Sequence, residues 1–408
     1  MPHDHDPRLN LAGLLGAVEN ASPVAAADVL AERLTDALGA SAVSFLVADF
    51  SGRALVRLGH AGSEAAGRTQ GRETAERVAL EGSPYGRALA SQSLEVETGA
   101  DGVRLYAPVT NRGEAIGVLQ LSLPQLPDEQ TLTDVALAAH TLAYVIIANR
   151  RFTDLFEWGQ RSVRLSLAAE IQHRLLPGSY TCEAGQFTLA AWLEPSGDIA
   201  GDTFDFAMER DTLHLSMTDA MGHSVNASVL ATVLVGALRN ARRAGVGLGE
   251  QVRLANAGLG DFTGWTDFVT GQVARIDLRT QTATIVNAGH PLPLRLRHGR
   301  VDAVALEPDP PFGTVRGVEY RVQRLPLEPG DRLMFLTDGM TERSAAAADL
   351  EALIAAGAEM HPREAVQHLV HAILEATGGT PEDDATVMCL DWHGGPPRER
   401  LTDSGAND

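Results

Sequence analysis

The sequence predicts an α+β protein in which a small α/β domain is joined by a helical linker to a second domain rich in short strands. A chain of 408 residues is long enough for two or three domains at roughly 150 residues each. Helical and alternating apolar patterns intermix in the first third, one apolar stripe at helical spacing follows, and short strand patterns dominate the remainder. We therefore divide the chain into a flexible N-terminal segment 1–21, an α/β domain 22–149, a linker helix 150–177, a strand-rich domain 178–393 and a disordered tail 394–408.

Composition and charge exclude several classes of function. The chain has 33 basic residues, all of them Arg, against 53 acidic ones, so its net charge is −20. This balance argues against nucleic acid and anionic membranes as partners. The two cysteines, Cys182 and Cys389, lie far apart without a CxxC partner, which excludes a disulfide framework and a cysteine-built zinc site. The polar start MPHDHDPRLN does not resemble a signal peptide, and no apolar run approaches the length of a membrane span. We expect a cytoplasmic protein.

The first domain shows a helix, then strands, then a helix. The segment VAAADVLAERLTDALGA places Val29, Leu30, Leu34 and Leu38 on one helical face. SAVSFLVADF and RALVRLGH alternate as strands, and GVRLYAPVT and AIGVLQLSLP form a hairpin pattern around the turn NRGE. A closing helix is predicted from about residue 128 to residue 151.

This order resembles a GAF domain, a small sensory module, through SPYGRALASQSLEV, RLYAPVTNRGEAIGVLQL and the helix beginning PDEQTLTDVALAAH. The resemblance implies a six-stranded antiparallel sheet with a small-molecule pocket on one face. The segment contains no Cys, so a thioether-linked bilin is not expected. His60 and His140 are either haem ligands or ordinary histidines. The alternative is that the domain binds nothing and only dimerises.

The linker carries one apolar stripe. Phe152 and Phe156 lie at i,i+4 spacing, and the stripe continues through Val163, Leu167, Ile171 and Leu175 to Pro177. Gly159 weakens the middle of this helix by about 1 kcal/mol relative to Ala and marks a flexible point. Such a stripe is typical of a core contact or of a dimer seam, so we expect a homodimer.

Aspartates follow or precede strands at four places in the second domain. They are Asp219 after HLSMT, Asp338 after LMFLT, the pair Asp383 and Asp384 before ATVMCL, and the group Asp198, Asp202 and Asp205 beside a fourth strand. Clustered carboxylates raise one another's pKa unless a cation lies among them. An all-oxygen donor set selects Mg²⁺, Mn²⁺ or Ca²⁺, and two such ions about 3.5–4 Å apart can activate a water for attack on phosphorus. The alternative is four unrelated turn aspartates.

Six strings occur in order between residues 165 and 391: GDIAGDTFDF, TDAMGHSVNASVL, DFVTGQVARID, VNAGHPLPLRL, MFLTDGMTERS and EDDATVMCL. They resemble the SpoIIE-like and RsbU-like branch of the metal-dependent protein phosphatase (PPM) family. The resemblance implies an αββα sandwich of two antiparallel sheets with a dinuclear Mn²⁺ or Mg²⁺ site at one edge. It also implies hydrolysis of phosphoserine or phosphothreonine by metal-activated water.

The resemblance assigns roles to individual residues. Asp202 and Asp219 correspond to the pair that bridges the ions, and Ala220 offers its backbone carbonyl. Asp338 and Asp383 correspond to the remaining ligands, so Asp202, Asp219, Asp338 and Asp383 form the catalytic set. Asp384 is the alternative to Asp383, one residue out of register. Gly201, Gly222 and Gly339 fit as close-approach glycines, and His223 and His290 receive no chemical step.

The linker ends in AAEIQHRLLP, which resembles the regulatory helix of that family. On a helix, Leu167, Ile171 and Leu175 share a stripe that we expect to pack on the sheets or on a partner helix. Glu170 and Gln172 lie off that stripe and either reach the loop carrying Asp202, as regulatory residues, or are solvated.

These expectations combine into a cytoplasmic signalling phosphatase with a GAF sensor. In related proteins the substrate is a phosphorylated anti-sigma-factor antagonist in a partner-switching pathway of the stress response. One rival is a pseudophosphatase that binds a phosphoprotein as a scaffold. The other rival is a small-molecule phosphohydrolase that uses the same ions.

Overall fold

A computed structural model describes residues 9–49, 52–61, 76–100, 102–160, 165–194, 201–340, 349–376 and 383–396. The chain forms two compact units that divide between Arg164 and Leu165, within the segment predicted as the linker.

The N-terminal unit is a six-stranded antiparallel sheet with helices on both faces. Its helices are α1 Leu11–Asn20, α2 Ala26–Leu38, α3 Pro84–Ser91, α4 Glu129–Asn149 and α5 Leu155–Gln160, and its strands are β1 Ala42–Ala48, β2 Ala54–Ala61, β3 Arg77–Ala79, β4 Glu95–Gly99, β5 Gly102–Asn111 and β6 Glu114–Leu123. The strand order is β3-β2-β1-β6-β5-β4. Helices α1, α2, α4 and α5 bury the larger core on one face, and α3 covers the other. The predicted six-stranded sheet is confirmed.

The first helix corrects the expected flexible segment 1–21. Asn10 caps α1 by accepting a hydrogen bond from the backbone of Gly13 at 3.0 Å. Leu14 and Val18, one turn apart, are buried in the core of the N-terminal unit. The prediction of flexibility is therefore wrong for Leu11–Asn20, because Leu14 and Val18 lie on one face of the helix and pack into this core.

The predicted single linker helix is also wrong. Helix α4 ends at Asn149, and α5 is a short separate helix whose Phe156 is buried in the core of the N-terminal unit. Phe152 lies outside any helix and is 70% exposed, and Val163 lies outside the described residues. A Cβ on Gly159 would lie 2.7 Å from Val47, so this glycine allows close packing on the sheet and does not mark a hinge.

Helix α4 is long and apolar enough to cross a membrane, by length and composition alone. The sequence predicts no continuous apolar run of that length. Nine residues of α4 are buried, which is the pattern of a helix that packs on a sheet. His140 on this helix contacts the Thr110 carbonyl oxygen through Nδ1 at 3.0 Å. The side chain of His60 lies outside the described residues.

The C-terminal unit contains two antiparallel sheets. Its strands are β7 Thr181–Ala184, β8 Phe187–Glu194, β9 Asp202–Met208, β10 Thr212–Ala220, β11 Val269–Asp277, β12 Thr282–Ala288, β13 Leu294–Arg297, β14 Arg300–Ala303, β15 Gln323–Leu325, β16 Asp331–Leu336 and β17 Ala385–Trp392. The first sheet has the order β15-β12-β11-β10-β9 and the second β14-β13-β16-β17-β8-β7. The helices are α6 Leu167–Leu175, α7 Ser224–Arg243, α8 Leu248–Thr263, α9 Leu350–Ala356 and α10 Pro362–Ala376.

Three apolar cores order these elements into four layers. Side chains of both sheets, among them Phe187, Phe204 and Phe335, form the middle core. Helices α7 and α8 pack on the outer face of the first sheet, and α9 and α10 pack on the outer face of the second. The predicted αββα sandwich is confirmed.

Candidate metal centre at one edge of the sandwich

Four strand ends meet at one edge of the two sheets. Asp202 opens β9 and stands directly opposite Asp219, near the end of β10. Asp338 follows β16 and the pair Asp383 and Asp384 precedes β17, which runs antiparallel beside β16. The end of one strand lies beside the start of its antiparallel neighbour, so these segments reach the same edge of each sheet.

Asp202 connects the two sheets. Its Oδ2 accepts hydrogen bonds from the Thr337 hydroxyl at 2.7 Å and the Thr386 hydroxyl at 2.6 Å, both on the second sheet's side. Burial raises the pKa of Asp202 well above its ordinary value, and the charges of Asp219 and Asp384 raise it further. The structure thus brings three carboxylates close enough to repel one another. A cation would relieve that repulsion.

The two neighbouring aspartates face different groups. Asp384 is buried, and its Oδ2 accepts hydrogen bonds from Gln172 Nε2 at 2.6 Å and from the Gly201 amide at 3.2 Å. Asp383 is half-buried, and burial followed by the charge of Asp338 raises its pKa. The charge of Asp384 therefore acts on Asp202, and the charge of Asp338 acts on Asp383.

Two glycines let backbone segments of this edge come together. A Cβ on Gly201 would lie 2.6 Å from the Ala220 carbonyl oxygen. A Cβ on Gly339 would lie 2.0 Å from the Asp384 carbonyl oxygen. Neither contact is sterically possible, so a side chain at either position would displace a segment that carries a candidate ligand.

The donor set fits a hard divalent cation. The converging groups are carboxylates and backbone carbonyls, which Mg²⁺ and Mn²⁺ prefer. Among the residues that the structure describes, no three His, Cys, Asp or Glu side chains form a ready-made metal site. Both Asp202 and Asp384 direct one oxygen into hydrogen bonds. Asp198 lies outside the described residues.

Helix α6 is attached to this edge. Gln172 is 1% exposed, and its Nε2 donates to the Asp202 carbonyl oxygen at 2.8 Å as well as to Asp384. Ser228 donates to the Ala168 carbonyl oxygen at 3.1 Å, and Arg239 donates to the Leu175 carbonyl oxygen at 2.6 Å. The helix thus contacts α7 at both ends and the candidate metal centre in between.

The face that α6 buries differs from the predicted stripe. Ala168, Ala169 and Gln172 are buried, whereas Leu167 is 66% exposed. Leu175 is partly buried and packs against the core beneath α7, as the stripe predicts. Small residues allow close contact with α7, and the amide supplies hydrogen bonds that an apolar side chain lacks. Glu170 forms an ion pair with Arg174 at 3.3 Å on the partly exposed side of the helix.

Sequence reasoning missed the hydroxyls that hold Asp202. Thr337 directly precedes Asp338, and Thr386 lies two residues after Asp384, so their positions beside the aspartates were the available signal. Asp205 does not belong to the candidate metal centre, because its carboxylate forms ion pairs with Arg239 at 2.8 Å and with Arg242 at 2.9 Å.

One family model matches most of the C-terminal half of the chain. Residues 209–393 match the family model described as Stage II sporulation protein E (SpoIIE). The matched range contains Asp219, Asp338, Asp383 and Asp384, and begins after Asp202.

The solved structures that are similar to part of the chain include two bacterial proteins. The RsbU and RsbW domains of a Mycobacterium tuberculosis protein are 26% identical, with a TM-score of 0.46 and coverage of 53% of this chain and 64% of that one. The PP2C phosphatase domain of SpoIIE from Bacillus subtilis, with a fragment of its regulatory domain, is 18% identical, with a TM-score of 0.46 and coverage of 52% and 65%. The chain thus spans less than two thirds of either protein.

Proposed function

We propose that the C-terminal half of this chain, which contains a SpoIIE-family domain, is a metal-dependent protein phosphatase that hydrolyses phosphoserine or phosphothreonine. The observation that carries this proposal is the convergence of aspartates from four strand ends on one sandwich edge, where Asp219 and Asp384 raise the pKa of Asp202. Four unrelated turn aspartates would not be expected to lie at the same edge of two sheets. The retention of mutually repelling carboxylates favours an enzyme over a scaffold.

The residues that would hold two Mn²⁺ or Mg²⁺ ions divide into two groups. Asp202, Asp219 and the Ala220 carbonyl would form one group. Asp338 and Asp383 would form the other, because the charge of Asp338 is near enough to raise the pKa of Asp383. When bound, the ions would lower the pKa of a coordinated water, which could then lose a proton and attack phosphorus. Thr337 and Thr386 orient the Asp202 carboxylate through their hydroxyls.

Asp384 fits a supporting role better than a ligand role. One of its oxygens is occupied by Gln172 and the Gly201 amide. It would fix the segment that begins β9, and Asp383 would take the ligand position. These contacts support Asp383, rather than Asp384, as the metal ligand.

Helix α6 would carry the regulatory signal. Gln172 joins this helix to the backbone of Asp202 and to the Asp384 carboxylate, so a shift of α6 would move a candidate ligand. Glu170 pairs with Arg174 within the same helix, and this pair would stabilise α6. The N-terminal unit, a GAF-like domain by its motifs and six-stranded sheet, would bias α6 in a cytoplasmic homodimer, with or without a small-molecule ligand.

The substrate follows from the resemblance to RsbU-like proteins. We infer a phosphorylated signalling protein of the anti-sigma-factor antagonist type. Turnover of p-nitrophenyl phosphate with Mn²⁺ tests the enzyme against the scaffold rival. A panel of phosphoproteins, together with the phosphoprotein that co-purifies with Asp219→Asn, tests a protein substrate against a small-molecule one. Hydrolysis of small phosphate esters without hydrolysis of any phosphoprotein would favour the second rival.

A further inference from the structure

One buried histidine beside the metal edge has no part in the proposed chemistry. His290 follows β12 in the turn that begins at Gly289, whose φ of +70° favours glycine. The imidazole is 4% exposed. Its Nδ1 lies 2.9 Å from the Thr270 hydroxyl, and its backbone amide donates to Asn287 Oδ1 at 2.8 Å. The ring is therefore held on the first sheet from two directions.

The partners of His290 connect it to both halves of the candidate metal centre. Thr270 on β11 stands directly opposite Asp219 on β10. His290 also lies in the segment that connects β12 of the first sheet to β13, and β13 pairs with β16 in the second sheet. Leu336, the last residue of β16, is followed by Thr337, which donates to Asp202. The imidazole thus lies between the strand that pairs with Asp219 and the strand that leads to Asp338.

The protonation state of the ring is defined by its surroundings. Burial lowers the pKa of His290 to about 4, with a smaller opposing effect of the Leu336 backbone, so the ring is neutral at pH 7. A neutral ring carries its single proton on Nδ1 or on Nε2, and the contact between Nδ1 and the Thr270 hydroxyl is compatible with both. Nε2 is buried and makes no hydrogen bond of ordinary geometry with the residues that the structure describes.

We propose that His290 is a positioning residue that spans the two sheets and sets the separation of the strand ends carrying Asp219 and Asp338. The inference rests on the proposed function, because that separation matters only if these strand ends share metal ions. Packed sheets lie about 10 Å apart, and an imidazole inserted at their edge fixes the local gap. Loss of the ring would let the edge collapse or open. Displacements of about 1 Å at a reacting centre can cost on the order of 100-fold in rate.

Three variants and one control test this role in the full chain. His290→Ala removes the ring, His290→Gln keeps a side chain that can both accept and donate, and Thr270→Val removes only the hydroxyl. The control is His214→Ala, because His214 is also a buried histidine but lies near the opposite end of β10 from Asp219. The measurements are the Mn²⁺ dissociation constant by calorimetry, kcat and KM for p-nitrophenyl phosphate at saturating Mn²⁺, and the melting temperature.

We expect His290→Ala to weaken Mn²⁺ binding about tenfold or more and to lower kcat while KM stays near the wild-type value. His290→Gln should recover a large part of both losses, and Thr270→Val should show a smaller change in the same direction. His214→Ala should lower only the melting temperature. If His290→Ala fails to fold, the comparison of His290→Gln and Thr270→Val with wild type decides the question.

Wild-type Mn²⁺ affinity and kcat in folded His290→Ala, or in both of the milder variants, would overturn the inference and leave the proposed function intact. Wild-type protein that neither binds Mn²⁺ nor turns over substrate would overturn the proposed function and this inference with it. The two failures are therefore distinguishable by the metal titration of the unaltered chain.

Discussion

Replacing Gln172 by Ala should disconnect helix α6 from the candidate metal centre. The side-chain amide makes two buried hydrogen bonds, at 2.8 Å to the Asp202 carbonyl oxygen and at 2.6 Å to the Asp384 carboxylate. A hydrogen bond to a charged group contributes about 1.5–3 kcal/mol. If about 2 kcal/mol of this energy holds the site in its active arrangement, its loss lowers kcat or Mn²⁺ affinity by up to about 30-fold. If part of the hydrogen-bond energy stabilises only the position of α6, kcat or Mn²⁺ affinity falls several-fold instead.

The assay is steady-state hydrolysis of p-nitrophenyl phosphate across an Mn²⁺ titration, with melting curves recorded in parallel. The matched control is Gln251→Ala, because Gln251 is equally buried and its amide donates to the Leu238 carbonyl oxygen, on the helices and not at the metal edge. Gln172→Glu adds a second carboxylate beside Asp384 and should be more harmful than Gln172→Ala. A Gln172→Ala variant with kinetics like those of Gln251→Ala would refute the connection.

Three further predictions concern the same edge. Gly339→Ala should abolish most activity, because its Cβ would lie 2.0 Å from the Asp384 carbonyl oxygen; wild-type kcat in this variant would contradict the close approach. Burial lowers the pKa of His290 from 6.5 to about 4, so the unfolded chain binds a proton at this residue at a higher pH than the folded chain does. The folded state is therefore destabilised as the pH falls from 6.5 to about 4. The difference in pKa corresponds to about 3 kcal/mol. Urea unfolding should therefore show that the free energy of unfolding falls less between pH 7 and pH 4 in His290→Gln than in wild type or in the exposed-site control His298→Gln; an equal fall in all three proteins would contradict this prediction. Millimolar Mn²⁺ should raise the melting temperature of wild type but not of Asp219→Asn, since the ions bind only the native state; an unchanged wild-type curve would exclude the site.

Strand-end aspartates were predictable because an apolar strand followed by Asp is a local pattern. Asp219 lies near the end of β10, Asp338 follows β16 and Asp383 precedes β17, and antiparallel pairing brings their segments to one edge. The sequence left Asp383 and Asp384 equivalent, since adjacent residues share every local signal. Only the partners of Asp384, which are distant in sequence, separate the two.

Helical faces were harder to predict than strand ends. Apolar periodicity selected Leu167, Ile171 and Leu175. Leu175 packs against the core beneath α7, but the residues that α6 buries fully are Ala168, Ala169 and Gln172. Periodicity records hydrophobicity, whereas this helix packs against a polar edge where an amide and small side chains fit better. The prediction of a single linker helix is wrong for a related reason. Phe156 packs into the core of the N-terminal unit, and the spacing of apolar residues along the sequence does not show which surface each one contacts.

The most direct measurement of the central claim is hydrolysis of a phosphoserine protein by the wild-type chain and by Asp219→Asn, with Mn²⁺ and after treatment with EDTA. We predict that wild-type activity requires Mn²⁺ and that Asp219→Asn lowers kcat by orders of magnitude, because Asp219 stands opposite Asp202 at the edge where the ions would supply the attacking water. Full activity in EDTA-treated protein, or in Asp219→Asn, would contradict the account.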